Sequence, residues 1–307
     1  MADGLAADGP AVVALGGGHG LATALRAIRR YAGSITAVVS VADDGGSSGR
    51  LRRDLGVPPP GDIRRCLVAL AGDDGVWSAA FEHRFRDGEL EGHALGNLVL
   101  VGLTETLGSF PDALDEAGRL LRAVGRVVPA TVEPVVLKAE LTSRDVDADA
   151  AGETVEGQVA VANSRNIRRV ALVPADVAAT PDALEAIAAA DQIVYAPGSL
   201  YTSVLPVLCV DGLRDAITAA PGRVVQVSNL RPQVPETSGM DVADHLEAVL
   251  GHGARVDCLL HDTGDGLPTD AGRLAGFGVE VVAAPVARPD GLAHDHARLA
   301  QALCALL

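Results

Sequence analysis

The sequence predicts an α/β fold of the three-layer, Rossmann-like kind, in which the central sheet is mostly parallel. Short apolar runs bounded by Gly, Pro or Asp alternate with longer amphipathic segments, as in strands joined by crossover helices. The chain has 307 residues, of which 48% are hydrophobic, and this is enough to build one large core. Because no long polar linker interrupts the pattern, we expect a single domain over residues 1–307.

Seven buried runs predict the strands. They lie at residues 11–15, 35–41, 170–173, 192–196, 224–228, 256–261 and 279–283. Helices are expected at about residues 20–31 and at the C-terminus, 292–307. An inserted helical segment, 61–125, contains apolar stretches at 63–71, 77–85, 94–107 and 111–124. A β-hairpin excursion, 126–162, follows it, with arms at 135–141 and 155–162 and a solvated tip between them.

Charge and composition exclude several classes of protein. A net charge of −15 without a basic stripe argues against nucleic-acid binding, because phosphate backbones require clustered Lys and Arg. Neither a signal peptide nor an apolar run long enough to span a membrane is present, so we expect a cytoplasmic protein. The four cysteines lack metal-ligand spacing and are expected to be reduced.

A glycine-rich loop follows the first predicted strand. Residues 15–25 read LGGGHGLATAL and place Gly17, Gly18 and Gly20 at the start of a helix. At the carboxyl end of a parallel strand, bare N–H groups and a helix N-terminus favour a phosphate. The spacing matches neither G-x-G-x-x-G nor a P-loop, so a tight turn without a ligand is the alternative. His19 is either a ligand contact or an incidental loop residue.

A second polar loop follows the next predicted strand and faces the same edge of the sheet. The residues expected to contact a nucleotide diphosphate there are Asp44, Gly45, Gly46, Ser47, Ser48 and Arg50. Arg50 or Arg52 could neutralise the diphosphate by bidentate hydrogen bonds. Because side chains alternate along an extended backbone, we expect only one of Asp43 and Asp44 to enter the site. The alternative is that an aspartate caps the following turn.

Two further segments of the first half contribute candidates. Asp62, in PPPGDIRRCL, is placed to cap a helix, and it could also join Asp44 in holding Mg²⁺, which prefers oxygen ligands. In GHALGNL, His93 and Asn97 lie four residues apart on one helical face. Asn97 could bind a ligand or pack in the interior. No H-E-x-x-H pattern supports zinc.

Two loops in the second half offer uncharged polar groups after predicted strands. They supply Ser199, Thr202, Ser203 and Asn229, which could recognise a base or a sugar edge. Ordinary turn chemistry explains the same residue types. The sequence has neither a G-x-S-x-G elbow nor a Ser/His/Asp order, so covalent hydrolysis has little support.

Together, these segments resemble one known family in order and approximate spacing. The matching stretches are VADDGGSSGRLR, PPGDIRRCL, GHALGNL, PGSLYTS and VADHLEA. They resemble the YvcK-type gluconeogenesis-factor family, bacterial relatives of CofD, the 2-phospho-L-lactate transferase of deazaflavin cofactor biosynthesis. The resemblance covers nearly the whole chain and implies a CofD-like domain. Residues 231–237 read RPQVPET where the family has an MTQPGET-like segment, so Arg231 and Val234 change the polarity of that loop.

The resemblance implies a ligand and a biological role. The ligand would be a nucleotide-sugar such as UDP-glucose or UDP-N-acetylglucosamine, and the role would concern cell shape and wall-precursor supply on gluconeogenic carbon sources. A homodimer is also implied. For CofD itself, the counterpart site takes a guanosine diphosphate-linked donor and Mg²⁺.

Three hypotheses follow, and the sequence leaves open whether the chain is an enzyme. The first is a regulatory protein that binds a nucleotide-sugar. The second is a CofD-like, Mg²⁺-dependent transferase that moves a phospho-acyl group from a nucleotide diphosphate donor to a hydroxyl acceptor. The third, an NAD-dependent oxidoreductase, follows only from the Rossmann-like pattern and has the wrong glycine spacing.

Overall fold

A parallel sheet forms the centre of the molecule. The computed structural model describes residues 5, 6, 8–71, 75–142 and 153–307. Within them, seven strands pair in the order β10-β9-β8-β7-β1-β2-β3, and every neighbouring pair is parallel. The strands are β1 (Ala11–Gly16), β2 (Ser34–Val39), β3 (Arg126–Pro129), β7 (Gln192–Tyr195), β8 (Arg223–Val227), β9 (Cys258–Asp262) and β10 (Glu280–Ala284). The predicted fold class is confirmed.

Burial on both faces explains why the central strands read as continuous apolar runs. In β1, all five residues after Ala11 are buried, and β7 is buried along its whole length. In β1, Val13 pairs with Thr36 on one side and with Ile193 on the other. Helices cover both faces of such a sheet, so polar alternation is absent. The predicted strands at 11–15, 35–41, 192–196, 224–228, 256–261 and 279–283 are confirmed to within a few residues.

A separate antiparallel sheet corrects the prediction made for residues 170–173. Its strands are β4 (Val136–Leu141), β5 (Thr154–Glu156) and β6 (Ile167–Val173), in the order β5-β4-β6. The run 170–173 was predicted as part of the parallel sheet, but it pairs antiparallel with β4. Its burial alternates, as expected of a strand with one solvated face.

The limits of the excursion 126–162 were also wrong in part. Residues 126–129 form β3, an edge strand of the main sheet, because they pair with β2. The second hairpin arm is shorter than predicted. It ends at Gly157, whose φ of +98° turns the chain into α7 (Gln158–Ala162). The hairpin of β4 and β5 is present, and its predicted tip at 143–152 lies outside the described residues.

Helices pack on both faces of the main sheet. In the first half they are α1 (Gly18–Ile28), α2 (Gly46–Leu55), α3 (Gly61–Leu70), α4 (Val76–Glu82), α5 (Leu95–Leu107) and α6 (Phe110–Leu121). In the second half they are α8 (Pro181–Ala188), α9 (Leu205–Leu208), α10 (Leu213–Ala219), α11 (Val242–Gly251), α12 (Ala271–Ala275) and α13 (His296–Cys304). A π-helical turn, Leu200–Val204, precedes α9.

The direction of the chain along the sheet decides which face each helix covers. From β1 the chain moves towards β3, and from β7 it moves the other way, towards β10. Because right-handed crossovers are the rule, the helices that connect strands in the two halves lie on opposite faces, while α13, which follows the last strand, returns to the face of α1. Helix α1 packs against α3 and α13 on one face, and α8 packs against α10 on the other. The predicted helical segment contains α3 to α6. No helix among the described residues is long and apolar enough to cross a membrane.

Candidate functional site

The candidate site lies at the carboxyl ends of β1, β2, β7 and β8. The chain passes from β1 to β2 on one side and later returns to place β7 on the other side of β1. The boundary between β1 and β7 is therefore a topological switch point, where open α/β sheets bind their ligands. The loops that follow the four strands contain the predicted site residues.

The loop after β1 brings backbone to this edge. Gly17 is extended and has no side chain to cap α1, and the N–H of Gly18, the first residue of α1, donates to the Asp62 carboxylate. Gly18 has a φ of +62°, in the left-handed region that favours glycine. A Cβ on Gly17 would lie 2.5 Å from Asp62 Oδ2 and 3.3 Å from Ser203 Oγ. The start of α1 is therefore in direct contact with Asp62 and Ser203.

The loop after β2 starts α2 in the same manner. Gly45 is extended and precedes α2 without a side-chain cap, and Gly46 has a φ of +48°. The hydroxyl of Ser48 accepts a hydrogen bond of 3.0 Å from the N–H of Gly61, the first residue of α3. Pro60, the residue before α3, supplies no side-chain cap, so the Ser48 hydroxyl fills that role for Gly61. Three helices therefore start close together, because α3 contacts both the α1 loop and the α2 loop.

Ser47 and Asn97, both predicted to contact a ligand, are hydrogen-bonded to each other. The Asn97 amide nitrogen donates to Ser47 Oγ at 3.0 Å, and the same hydroxyl lies 3.0 Å from His93 Nδ1. All three side chains are buried, and Asn97 Oδ1 has no partner in the described part of the chain. Burial lowers the pKa of His93, which keeps its ring neutral at pH 7. This network fixes the start of α2 to α5.

Asp62 is the most perturbed acid at the site. Its side chain is 15% exposed, and burial together with the nearby carboxylate of Asp43 raises its pKa from 3.8 to about 6. An ion pair of 2.7 Å with Arg65 and a hydrogen bond from the N–H of Gly18 oppose that rise. Asp62 does not cap α3 through its side chain. Its carboxylate instead bonds to the start of α1 and lies near Asp43 in the loop after β2.

Asp44 does not face Asp62, although the sequence predicted that the two would act together. Its two carboxylate oxygens accept hydrogen bonds of 3.0 Å each from the N–H groups of Gln158 and Val159 at the start of α7. Asp43 is the aspartate that acts on Asp62, and its Oδ1 also accepts a 2.9 Å hydrogen bond from Gly45 N–H. One aspartate of the pair thus enters the site, as alternation along the backbone predicts, and it is Asp43.

The pair Asp43 and Asp62 fits a Mg²⁺ ion better than the predicted pair Asp44 and Asp62. Among the described residues, no group of three or more His, Cys, Asp or Glu side chains could hold a metal by itself. Mg²⁺ needs less, because it keeps several waters and takes one or two carboxylates plus phosphate oxygens of the substrate. Two neighbouring carboxylates, one of which helps to raise the pKa of the other, are the donor set that such an ion neutralises.

The loop after β7 is held by side chains that were predicted to read a ligand. Asn229 accepts a hydrogen bond of 2.6 Å from the N–H of Gly198 and donates one of 2.7 Å to its carbonyl oxygen. Its amide therefore joins the loops after β7 and β8. Gly20 packs against the carbonyl of Pro197 with no room for a side chain. Asn229 and Gly20 thus position this loop against the start of α1.

Glu236 holds the rest of that loop in place, although it is not among the site residues predicted from the sequence. Its buried carboxylate accepts hydrogen bonds from the hydroxyl of Ser199, from the N–H of Tyr201 at 2.7 Å and from Thr202 at 3.5 Å. Burial raises its pKa, and these donors lower it in part. The only signal in the sequence was a single acid within an otherwise uncharged segment, 232–238. Among the predicted hydroxyls of this loop, that of Ser203 is the one that lies beside Gly17.

The arginines expected to neutralise a diphosphate are engaged with backbone carbonyls. Arg50 donates to the carbonyl of Glu91 at 2.7 Å, and Arg52 donates to that of Val135. A role for either at a ligand stays a prediction. His19, in the glycine loop, has a pKa lowered by partial burial and by Arg65, so its ring is neutral at pH 7.

A cavity of about 580 Å³ lies behind the Glu236 network. Glu236 and Tyr201 form part of its wall, and Arg169, Met240 and Asp244 contribute to the rest. It lies between the small sheet and α11, away from Gly17 and Asp62. Its wall mixes both charges, and nothing in it points to the site chemistry described above. We therefore place the candidate site at the three helix starts, on the chemistry of its residues.

Comparison with known proteins agrees with the fold and with the sequence resemblance. The family model described as 2-phospho-L-lactate transferase CofD matches residues 12–276. A protein named gluconeogenesis factor from Halalkalibacterium halodurans is 43% identical over 81% of this chain and 77% of its own length. One of that name from Listeria innocua is 40% identical over 79% of this chain and 74% of its own.

A solved structure extends the agreement to three dimensions. The crystal structure of a member of the UPF0052 family from Bacillus halodurans superposes with a TM-score of 0.89 at 37% identity. The match covers 96% of this chain and 99% of that one. The chain therefore belongs to the CofD family and, within it, to the YvcK-type gluconeogenesis factors.

Proposed function

We propose that the chain is a regulatory protein that binds a nucleotide-sugar, with a UDP-sugar as the ligand. One observation carries the proposal: α1, α2 and α3 all begin at the switch point of the sheet, each after a residue that supplies no side-chain cap. The first N–H of α1 is bonded to Asp62 and that of α3 to Ser48, but each helix start has up to four N–H groups without an intrahelical acceptor and about half a positive charge. Several such starts at one place suit a diphosphate better than a single phosphate.

The polar side chains around this place support the same proposal indirectly. Ser48 ties α2 to α3, while Asn229 and Glu236 hold the loop after β7. These bonds fix backbone N–H groups in position before a ligand arrives, which lowers the entropic cost of binding. Ser203, beside Gly17, is the side chain best placed to contact the ligand directly.

Titration calorimetry with UDP, UDP-glucose and UDP-N-acetylglucosamine tests the proposal. In Gly17→Ala, the new methyl group would lie 2.5 Å from Asp62 Oδ2 and 3.3 Å from Ser203 Oγ. We expect a loss of affinity of at least about tenfold, or about 1.4 kcal/mol. Gly102→Ala is the matched control, because Gly102 is exposed in α5 and an added Cβ there meets nothing within 4 Å. If all three compounds fail to bind the wild-type protein at millimolar concentration, the proposal is wrong.

The biological part of the proposal rests on the family. Relatives are named gluconeogenesis factors, and we extend to this chain a role in cell shape and wall-precursor supply. A strain lacking the gene should grow abnormally on gluconeogenic carbon sources, and the wild-type gene should restore normal growth and shape. A Gly17→Ala gene should restore neither if ligand binding is the function. We also propose a homodimer, which sedimentation analysis would test.

A second candidate function has an observation of its own in the Asp43 and Asp62 pair. In a CofD-like transferase, an acceptor hydroxyl attacks the phosphorus distal to the nucleoside, and a nucleoside monophosphate leaves. Asp43 and Asp62 would hold Mg²⁺, which supplies charge neutralisation on the diphosphate. Burial raises the pKa of Asp62 and the carboxylate of Asp43 adds to the rise, and Mg²⁺ beside the pair would offset that repulsion.

Turnover assays separate the two candidates. The wild-type protein would be incubated with Mg²⁺, a nucleotide diphosphate-linked donor and hydroxyl acceptors, and nucleoside monophosphate release would be followed by chromatography. Release that depends on Mg²⁺ and is lost in Asp62→Asn favours the transferase. Donor that stays intact with every acceptor, although it binds, favours the regulatory protein.

A further inference from the structure

We propose that the sugar of the bound nucleotide-sugar carries a negative charge, and that Arg231, Arg288 and Arg298 recognise it. This inference rests on the proposed function and specifies its ligand class. The three arginines line a cavity of about 370 Å³ formed by the segments after β8, β9 and β10. That cavity lies at the same edge of the sheet as the candidate site, because all these strands are parallel.

The arginines of this cavity keep most of their donors free. Arg231 donates one hydrogen bond of 3.1 Å to the carbonyl of Gly291, and Arg298 donates one of 3.0 Å to that of Ala287. In the described part of the chain, none of the three arginines forms an ion pair. A guanidinium has five N–H groups, so several remain on each for a carboxylate or phosphate.

The aspartates of the cavity accept more hydrogen bonds than its arginine side chains donate. Asp262 accepts hydrogen bonds of 2.8 Å from the N–H groups of Gly264 and Ala287. Asp290 accepts one of 2.9 Å from the N–H of Leu292. Asp265 has no hydrogen bond among the described residues and reduces the positive charge of the wall. The wall thus has three arginines and three aspartates and is formally neutral, whereas the whole chain has a net charge of −15.

The cavity adjoins the candidate site through the loop after β8. Asn229 in that loop is bonded to Gly198, beside α1, and Arg231 is two residues further along. Adjacent strands are about 4.8 Å apart. The β8 and β9 ends are therefore two and three strand spacings, about 10 and 14 Å, from the β1 end, where α1 begins. A sugar attached to a diphosphate at the switch point extends past β7 towards this cavity.

The lining of the cavity suits an anionic sugar rather than a nucleobase. Base pockets are mostly lined by apolar and aromatic side chains. The residues that line this cavity include no aromatic side chain, and apart from Leu230, Ala287 and two prolines they are Gly, Thr, Asp and Arg. Arg231 also belongs to the segment that departs from the family pattern, so the preference for an anion is a property expected of this chain.

A pair of ligands that differ at one carbon tests the inference. UDP-glucuronate has a carboxylate where UDP-glucose has a hydroxymethyl group, and UDP alone lacks the sugar. Calorimetry on the wild-type protein should show UDP-glucuronate binding about fivefold tighter than UDP-glucose, the size expected for a partly exposed charge contact. Raising the salt concentration should reduce that preference, because exposed charge pairs are screened.

Variants link the preference to the cavity. The double variant Arg231→Met, Arg288→Met should bind UDP with wild-type affinity and lose the preference for UDP-glucuronate. Arg86→Gln, at an exposed turn position, should keep the preference and controls for loss of a positive charge. If the double variant unfolds, Arg288→Met alone should reduce the preference, since the Arg288 side chain makes no hydrogen bond in the described part of the chain and its backbone bonds are unaffected.

The outcomes separate this inference from the function on which it rests. Absence of binding by all three UDP compounds overturns the proposed function, and the inference with it. Binding of UDP and UDP-glucose with an equal or weaker affinity for UDP-glucuronate overturns the inference alone. A preference that persists in the arginine variants also overturns it, whereas its loss with UDP binding retained supports it.

Discussion

Replacing Asp62 with asparagine should stabilise the fold at neutral pH while removing a metal ligand from the candidate site. Burial and the carboxylate of Asp43 raise the pKa of Asp62 from 3.8 to about 6 in the folded protein. A folded-state pKa above the unfolded one means that the folded protein binds the proton more tightly. Stability is therefore highest when Asp62 is protonated, below about pH 4, and falls as the pH rises to about 6.

The size of the effect follows from that pKa. A rise from 3.8 to about 6 corresponds to a cost of about 3 kcal/mol in the ionised state above about pH 7. Asparagine is uncharged and removes this cost. The ion pair with Arg65 is already contained in that cost, because it lowers the pKa of Asp62. Asparagine can still accept the hydrogen bond from Gly18 N–H. The net gain is about 3 kcal/mol at pH 7.5, or a rise in Tm on the order of 5 °C.

Thermal unfolding of both proteins between about pH 4 and pH 8 measures this difference. The two proteins should be nearly equal at about pH 4, where Asp62 is protonated in the wild type, and diverge as the pH rises. Asp87→Asn, at an exposed turn position, should show no such divergence. Millimolar Mg²⁺ should raise the Tm of the wild type at pH 7.5 and leave Asp62→Asn unchanged. A variant that is destabilised equally at every pH would refute the reasoning.

Three other substitutions test how the loops are held. Asn229→Ala should cost about 1–2 kcal/mol in urea unfolding and weaken UDP binding in calorimetry, because its amide makes two bonds that join the loops after β7 and β8. Glu236→Gln should cost about 2 kcal/mol in the same unfolding assay, because it turns an amide NH₂ towards groups that donate hydrogen bonds. Ser47→Ala should cost about 1–3 kcal/mol, because it leaves buried groups of His93 and Asn97 without a partner; unchanged stability would show that the network contributes nothing.

The strands of the main sheet could be predicted because a strand that is buried on both faces is apolar at nearly every position. The run 192–196 is apolar for that reason, and it forms β7. The run 170–173 has the same composition, yet it belongs to β6 of the small sheet. A short apolar run shows that a strand is buried, but its partner depends on contacts with residues far away in sequence. Pairing with β4 therefore could not be predicted from those four residues.

The site loops were located from the sequence, while the bonds of individual side chains were not. Glycine and serine after a strand mark a loop wherever it folds, so Gly17 and Ser48 were found. Asp43 and Asp44 are chemically identical neighbours. Only the position of α7 decides that Asp44 is the one that accepts its N–H groups. Glu236 is visible in the sequence as one acid among many. Its role depends on the distance to Ser199, 37 residues away.

The geometry of the site bears on the choice between binding and catalysis. Most predicted polar side chains are already used to hold the loops, so affinity for a diphosphate must come mainly from backbone N–H groups. A binding site of that kind has no need of two facing carboxylates, which repel the ligand and cost about 3 kcal/mol of stability when Asp62 is ionised. Such a cost is typical of functional sites, where activity is favoured over stability. In the proposed site, Asp43 and Asp62 are the residues through which a cation would take part in ligand recognition, whether or not transfer follows.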